Sequence, residues 1–470
     1  MLAPTGPRRY RGAPAVRLSL LRASVSYRFM SSIAHDPGAP AAGGTDGAAP
    51  QPAAAVAPRD IAIGVVIGRS SEYFDYFVYG IASVLVFPAI FFPFEPHLEG
   101  TLLAFVVFSF AFIARPFGSL LFLTIQRRFG PGPKLTASLF LLGTSTVGIA
   151  FLPEYDSLGP LSIVLLSVFR ICQGVALGGA WDGMPSLLAL SAPSNRRAWY
   201  AMMGQLGAPT GFIMAAALFS FLHANLSSED FLSFGWRYPF FVAFAINVVA
   251  LFARLRLVVT DEFAQLFAER ELMPAETREF FHSQGYLVVL GAFGALASYA
   301  LFHLVTVFPL SWILLYSSQP ISQFLVIQIV GALLGAGGIV ASGVIADRIG
   351  RRRMLGLLAA LIAVFSGYAP TLLDGGALGQ DMFILVGFTL LGLSYGQAAG
   401  AMNSSFEPRF RYTGAALTAD LAWLIGAGFA PLVALGLSAR FGLAYVSLYL
   451  LSGAACTLAA LWVSRTVLSD

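Results

Sequence analysis

This chain of 470 residues has very little charge: Asp, Glu, Lys and Arg make up 11% of it, and 57% is hydrophobic. A soluble domain carries about 25% charged residues, so an ordinary water-soluble protein is excluded. Lysine is nearly absent, Lys134 being the sole one. The remaining basic residues are arginines in short clusters between apolar runs. They form no continuous stripe with interleaved aromatics, which argues against nucleic-acid binding. The two cysteines, Cys172 and Cys456, both fall in apolar segments, which excludes a disulfide framework and any cysteine metal site. Two glycine-rich runs, GALLGAGG (331–338) and GAGFAP (426–431), lack the lysine that follows a phosphate loop and are read as close helix packing. With no Ser/His/Asp arrangement and no metal-ligand spacing, neither an enzyme nor a cofactor is expected.

Long apolar runs are abundant instead. Crossing the hydrocarbon core takes about 20 apolar residues, and twelve stretches meet that length, at approximately 61–91, 98–124, 135–153, 158–190, 199–223, 238–257, 285–315, 321–346, 354–373, 382–404, 412–438 and 441–465. The chain is therefore expected to be an all-α polytopic membrane protein of two six-helix, pseudo-symmetric halves, 58–257 and 285–466. The polar segment 258–284 between them is expected to be a partly helical cytoplasmic connector. Residues 1–57, rich in Ala, Pro and Gly, are expected to be disordered. Their arginines resemble those of a mitochondrial transit peptide, but the expectation adopted is that translation starts at Met30.

Basic residues are retained on the cytoplasmic side. Arg127, Arg128, Lys134, Arg196, Arg197, Arg348, Arg351, Arg352, Arg353, Arg409 and Arg411 fall in one set of loops, against Arg237 and Arg440 in the other. Both termini are accordingly expected in the cytoplasm, with the protein in the cytoplasmic (inner) membrane as a monomer. A repeat is also visible. The segment LTIQRRFGPGP (123–133) after the second run occupies the place of GVIADRIGRRR (343–353) after the eighth.

Gly343, Asp347, Arg348, Gly350, Arg351 and Arg352 in the second segment resemble the loop signature of the major facilitator superfamily. Gly343 allows close helix approach, Gly350 allows the turn, and the arginines fix topology. The first-helix segment GRSSEYFDYFVYG (68–80) resembles the pattern G-N-x-x-E-W-[YF]-D-[FY]-x-x-Y-G of the metabolite:proton symporter family. Further likeness runs through FIARPFGS (112–119), RICQGVALGGAWDG (170–183), GQLGAPTG (204–211), GWRYPF (235–240), RLRLVVTDEF (254–263) and RYTGAALTADLAWLIGAGFAP (411–431). The resemblance implies transport of small organic solutes with protons. There are departures: Leu123 and Arg127 replace a glycine and an acid that helps hold the cytoplasmic side closed, Ala180 replaces a glutamate, Asp182 a glycine, and Arg69 and Asp420 asparagines.

A charged side chain at a helix centre costs roughly 2.5 to 3.5 kcal/mol on insertion, so each one needs a partner, water or a task. Arg69, Glu72 and Asp75 are spaced by three along one helix face. Glu72 or Asp75 is the expected proton carrier, tuned by Arg69; alternatively Arg69 and Glu72 form a structural ion pair. Arg170, with Gln173 beside it, suits either a substrate carboxylate or a protein acid, and Asp182 is either that acid or a second proton site. His303 is a candidate relay or a packing residue, and Asp420 a further proton site or an interhelical hydrogen-bond partner. Gln205 is a candidate substrate contact, and Tyr76 and Trp181 candidate walls. The expectation is a proton symporter importing an organic acid, with a zwitterion symporter, a proton-driven exporter and a non-transporting receptor as alternatives.

Overall fold

The computed structural model describes residues 58–180, 183–258, 265, 267–268, 272–399 and 405–467. The segment expected to be disordered, 1–57, and the stretches 259–264, 266 and 269–271 of the connector lie outside them. The described chain is helical, with no strand, as lipid demands: a helix satisfies its own backbone polar groups where no water can. Twelve helices carry the fold. They are α1 (Pro58–Leu85), α2 (His97–Phe129), α3 (Pro131–Ala150), α4 (Pro160–Gly179, with Met184–Ser191 beyond it), α5 (Arg197–Asn225) and α6 (Tyr238–Val258). The second half has α7 (Leu296–Tyr316), α8 (Ile321–Ile349), α9 (Arg351–Asp374), α10 (Gly376–Ala398), α11 (Pro408–Phe441) and α12 (Ala444–Val467).

Ten are long and apolar enough to cross a membrane by composition alone. The exceptions are α1, whose centre holds Arg69, Glu72 and Asp75, and α3, which holds Lys134 and several Ser and Thr. Boundaries differ locally from the apolar runs. The first run breaks at Val86 into α1 and a short helix, Phe87–Phe91. A helix at Thr277–Gly294 leads into α7, so helical structure starts inside the segment read as connector. In α11 the turns widen to a π-helix at Trp423–Gly428, and Tyr449 of α12 donates to the Gly426 carbonyl at 2.9 Å.

The two halves use the same packing device. In the first, α2 and α4 cross where a methyl on Gly118, Gly174 or Gly178 would overlap the facing backbone; in the second, α8 and α10 cross at Gly335 and Gly392 in the same way. Small residues at such crossings let dispersion forces act over a short interaxial distance, since lipid provides no hydrophobic drive between helices. The repeat also shows in the turns. Gly130 after α2 and Gly350 after α8 have φ of +86° and +87°, a region closed to most side chains.

Overpacking a tight crossing costs roughly 1 to 3 kcal/mol. Gly174→Ala and Gly178→Ala are expected to lower the melting temperature of the purified protein, whereas Gly337→Ala, with no atom near its added methyl, is expected to leave it unchanged. Equal melting temperatures for all three would contradict the packing account.

Candidate functional site

The charges along α1 point to different neighbours. Arg69 Nη1 donates to Glu72 Oε2 at 2.6 Å, and Arg254 Nη1 from α6 meets Glu72 Oε1 at 2.6 Å. The ion pair given above as the alternative for Arg69 and Glu72 is made, and a second guanidinium completes a clamp. Arg254 belongs to the segment RLRLVVTDEF and was not singled out in the sequence reading. One signal was available: an ionisable residue within the sixth apolar stretch. A methyl on Gly68 would overlap its guanidinium.

Asp75 lies deep within the first half, 2% exposed. Its Oδ1 accepts the Thr146 hydroxyl of α3 at 2.5 Å; Thr146 accepts Gln173 Nε2 at 2.9 Å, and Gln173 Oε1 accepts Arg170 Nη1 at 3.1 Å. Beside them Ser71 donates to Asn247 Oδ1 of α6 at 2.9 Å. Arg170 also donates to the Phe108 carbonyl at 3.2 Å and lies 3.8 Å from the Tyr79 ring centroid and 4.8 Å from that of Phe108. It makes no ion pair with a described carboxylate. Instead Arg170 is held by aromatic faces, which attract a desolvated cation, and by a relay of neutral side chains to Asp75.

Between the halves lies a layer of rings. Tyr73 of α1 hydrogen-bonds Tyr395 of α10, Tyr76 of α1 hydrogen-bonds His303 Nε2 of α7, and Phe77 stacks on Phe302 with centroids 5.7 Å apart. Trp423 of α11 packs on Phe302 at 4.9 Å and Tyr299 at 5.2 Å. Donor bookkeeping places a proton on Nδ1 of His303. Thr306 donates its single hydroxyl proton to the Phe302 carbonyl at 2.8 Å, so it accepts from Nδ1–H of His303 at 3.2 Å. In the neutral ring Nε2 is then the acceptor for the Tyr76 hydroxyl.

Against this layer, toward the arginine-rich end, opens a cavity of about 400 Å³. Arg69, Arg197, Arg351 and Arg411 line it, Tyr299, Tyr395 and Trp423 form its aromatic wall, and Gln205 adds an amide. No described carboxylate lines it. Of the residues expected from sequence to meet substrate, Arg69 and Gln205 do line it, while Arg170, Gln173 and Tyr76 are held elsewhere. Trp181 and Asp182 lie outside the described residues.

Asp420 of α11 is buried, and its Oδ1 accepts Arg115 Nε of α2 at 2.7 Å while Oδ2 accepts the Ser119 hydroxyl. Arg115 stands in FIARPFGS and was read there only as a family mark. Its guanidinium lies 5.7 Å from the Trp423 ring centroid, beside the cavity.

At the arginine-rich end the halves meet at two pseudo-symmetric points. Asp347, ending α8, accepts the backbone N–H of Ala198 at 2.8 Å and Trp199 at 3.1 Å, an acid on the N-terminus of α5. A Cβ on Gly343 would lie 3.0 Å from Trp199 Cα, which is the close approach expected there. Arg351 donates to Gln397 Oε1 at 3.1 Å, Arg352 to the Leu461 carbonyl, and Arg348 is exposed. At the equivalent point Arg127 is exposed. There Tyr412 of α11 donates to Gln126 Oε1 at 2.9 Å and accepts Lys134 Nζ at 3.1 Å. Tyr412 thus ties α11 to Gln126 of α2 and to Lys134 of α3.

The family description Major Facilitator Superfamily matches residues 73–431. The inner membrane metabolite transport protein YhjE of Escherichia coli (strain K12) is 34% identical over 413 residues, covering 86% of this chain and 93% of that protein. The shikimate transporter of the same organism is 30% identical over 407 residues, covering 84% and 92%. Among solved structures, the D-xylose-proton symporter superposes with a TM-score of 0.66 at 18% identity, covering 85% of this chain and 96% of that one.

Removing one member of a buried ion cluster strands the others at a cost of roughly 3 to 5 kcal/mol. Glu72→Gln is therefore expected to lower the melting temperature sharply, and Glu72→Gln combined with Arg254→Met to recover most of the loss. A double variant no more stable than the single one would show that the clamp is not the cause.

Proposed function

The chain belongs to the major facilitator superfamily, a family of membrane transporters, and on that premise we propose that it imports a small organic acid together with protons. The observation that carries the substrate class is the cavity lining: four arginines from four helices, and no described carboxylate. Guanidinium groups bind carboxylates through paired donors. The aromatic wall of Tyr299, Tyr395 and Trp423 would cover the carbon skeleton, and Gln205 would contact a neutral oxygen. A zwitterion needs an acid for its cationic end. Of the acids near the cavity, Glu72 and Asp420 are each already held by arginine.

In this reading the halves, 58–257 and 285–466, rock about the cavity as two bodies. The arginine-rich end faces the cytoplasm, as retention of basic loops predicts, and the protein works as a monomer in the cytoplasmic membrane. The ring layer then separates the cavity from the outside. Asp75 and Asp420 are the proton candidates, and Glu72 with Arg69 and Arg254 is assigned to holding α1 against α6.

Proteoliposomes under an inward proton gradient test the reading. Mono- or dicarboxylates are expected to accumulate with protons entering alongside; proton movement opposite to solute would indicate export, and binding without flux a receptor. Arg411→Gln is expected to raise KM for the transported acid by about tenfold or more, since a hydrogen bond to a charged group contributes about 1.5 to 3 kcal/mol. An unchanged KM would remove Arg411 from the site.

A further inference from the structure

A proton can drive rocking only through a group whose surroundings differ between the two arrangements, because a ligand shifts an equilibrium solely by its differential affinity for the two states. If the halves move as bodies, contacts made inside one half are the same before and after. Glu72 is held by Arg69 and Arg254, all within the first half. Asp75 is held by Thr146 and the relay to Arg170, again within the first half. Asp420 is different. It belongs to the second half, and both of its described partners, Arg115 and Ser119, belong to α2 in the first. Of the described ion pairs, Arg115–Asp420 is the one that joins the halves.

We propose that Arg115, bound to Asp420 across the seam between α2 and α11, is the positioning residue that ties proton uptake to separation of the two halves. The inference rests on the proton-coupled reading above. The step balances simply: a proton from solution adds to a carboxylate oxygen of Asp420, the acid becomes neutral, and the charge-assisted bond from Arg115 Nε is lost. Arg115 remains a cation and keeps the face of Trp423, whose ring lines the cavity. Substrate and proton thus meet at neighbouring residues of α11.

The surroundings leave Asp420 as the group that changes. Arg69 of α1 is the other cation acting on it, and Tyr299 of α7 is the nearby phenol. The helix Thr277–Gly294 packs against this part of α11 with Leu287, Val288 and Leu290 on Leu417 and Leu421, an apolar contact. From α4 the Gly178 carbonyl lies 3.1 Å from the Ser119 hydroxyl, whose one proton it shares with Asp420. The tight α2–α4 crossing at Gly178 faces the Arg115 backbone and so fixes where the guanidinium starts.

The test needs no substrate, only pH. In full-length protein with Cys172 and Cys456 changed to Ser, spin labels at Phe129 and Arg409, both exposed at the arginine-rich end, report the distance between the α2 and α11 ends. The wild-type background is expected to shift between two distance populations as pH falls. Asp420→Asn is expected to hold the low-pH population at every pH. Arg115→Gln, which removes the cation that keeps the carboxylate charged, is expected to do the same, while Arg115→Lys keeps a pH-driven shift. A shift that survives in Asp420→Asn overturns the proposal. If it survives there and is lost in Asp75→Asn, proton coupling stands but runs through Asp75. If the wild-type background shows no shift, both the inference and the proton-coupled reading fall.

Discussion

The cost of charge in hydrocarbon organises this molecule. Every described ionisable group in the middle of the bundle is compensated, and the manner of compensation sorts the groups. Glu72 is fixed by two guanidiniums. Arg170 rests on aromatic rings and a backbone carbonyl, with a relay of neutral side chains to Asp75. Asp420 alone of the three acids is compensated from the other half. Arg69, Arg197, Arg351 and Arg411 line an open cavity, Arg69 also holding Glu72 and Arg351 also bonding Gln397.

The same constraint explains how pseudo-symmetry is kept and broken. Packing repeats faithfully, because a glycine crossing depends only on backbone proximity: α2 with α4 and α8 with α10 use it alike, and Gly130 and Gly350 turn the chain with nearly the same φ. Charge does not repeat. One clasp at the arginine-rich end is an acid on a helix N-terminus, and the other is a tyrosine between an amide and a lysine. An N-terminal clasp gains from the helix dipole, whereas at the other point Tyr412 donates to an amide oxygen and accepts from the buried Lys134. The two seams at this end are therefore held by unequal chemistry, although the backbone treats them as equivalent.

Much of the fold was legible in the sequence because membrane helices advertise themselves by length and apolarity, and the repeat by its two loops. The candidate site was legible only where partners are near in sequence. Arg69 with Glu72 follows from a spacing of three. Arg115 with Asp420 joins positions 305 apart, and Arg254 reaches Glu72 from the far end of the first half; no periodicity connects such residues. Arg170 drew attention as a charge in an apolar run, but its rings come from α1 and α2, so sequence could name the problem and not its solution. Of the cavity arginines, Arg69 was legible as a substrate candidate and Arg197, Arg351 and Arg411 as topology signals, which gained a second reading only once α5, α9 and α11 were seen to converge.

That convergence bears on how a carrier can use the same residues for two purposes. Basic residues at helix ends are cheap, since long side chains reach the interface, and they orient the chain in the membrane. Where the helix ends also surround a cavity, those charges attract an anion without any further ion being buried. Inside, Trp423 lines that cavity and has the Arg115 guanidinium, paired with Asp420, 5.7 Å from its ring centroid. A solute that moves Trp423 and a proton that neutralises Asp420 would act on the same turn of α11, the stretch where the helix widens to a π-turn. A π-turn leaves the local ladder of hydrogen bonds irregular, and such turns recur where a helix must yield. The geometry thus puts charge, solute wall and a yielding backbone within one short segment.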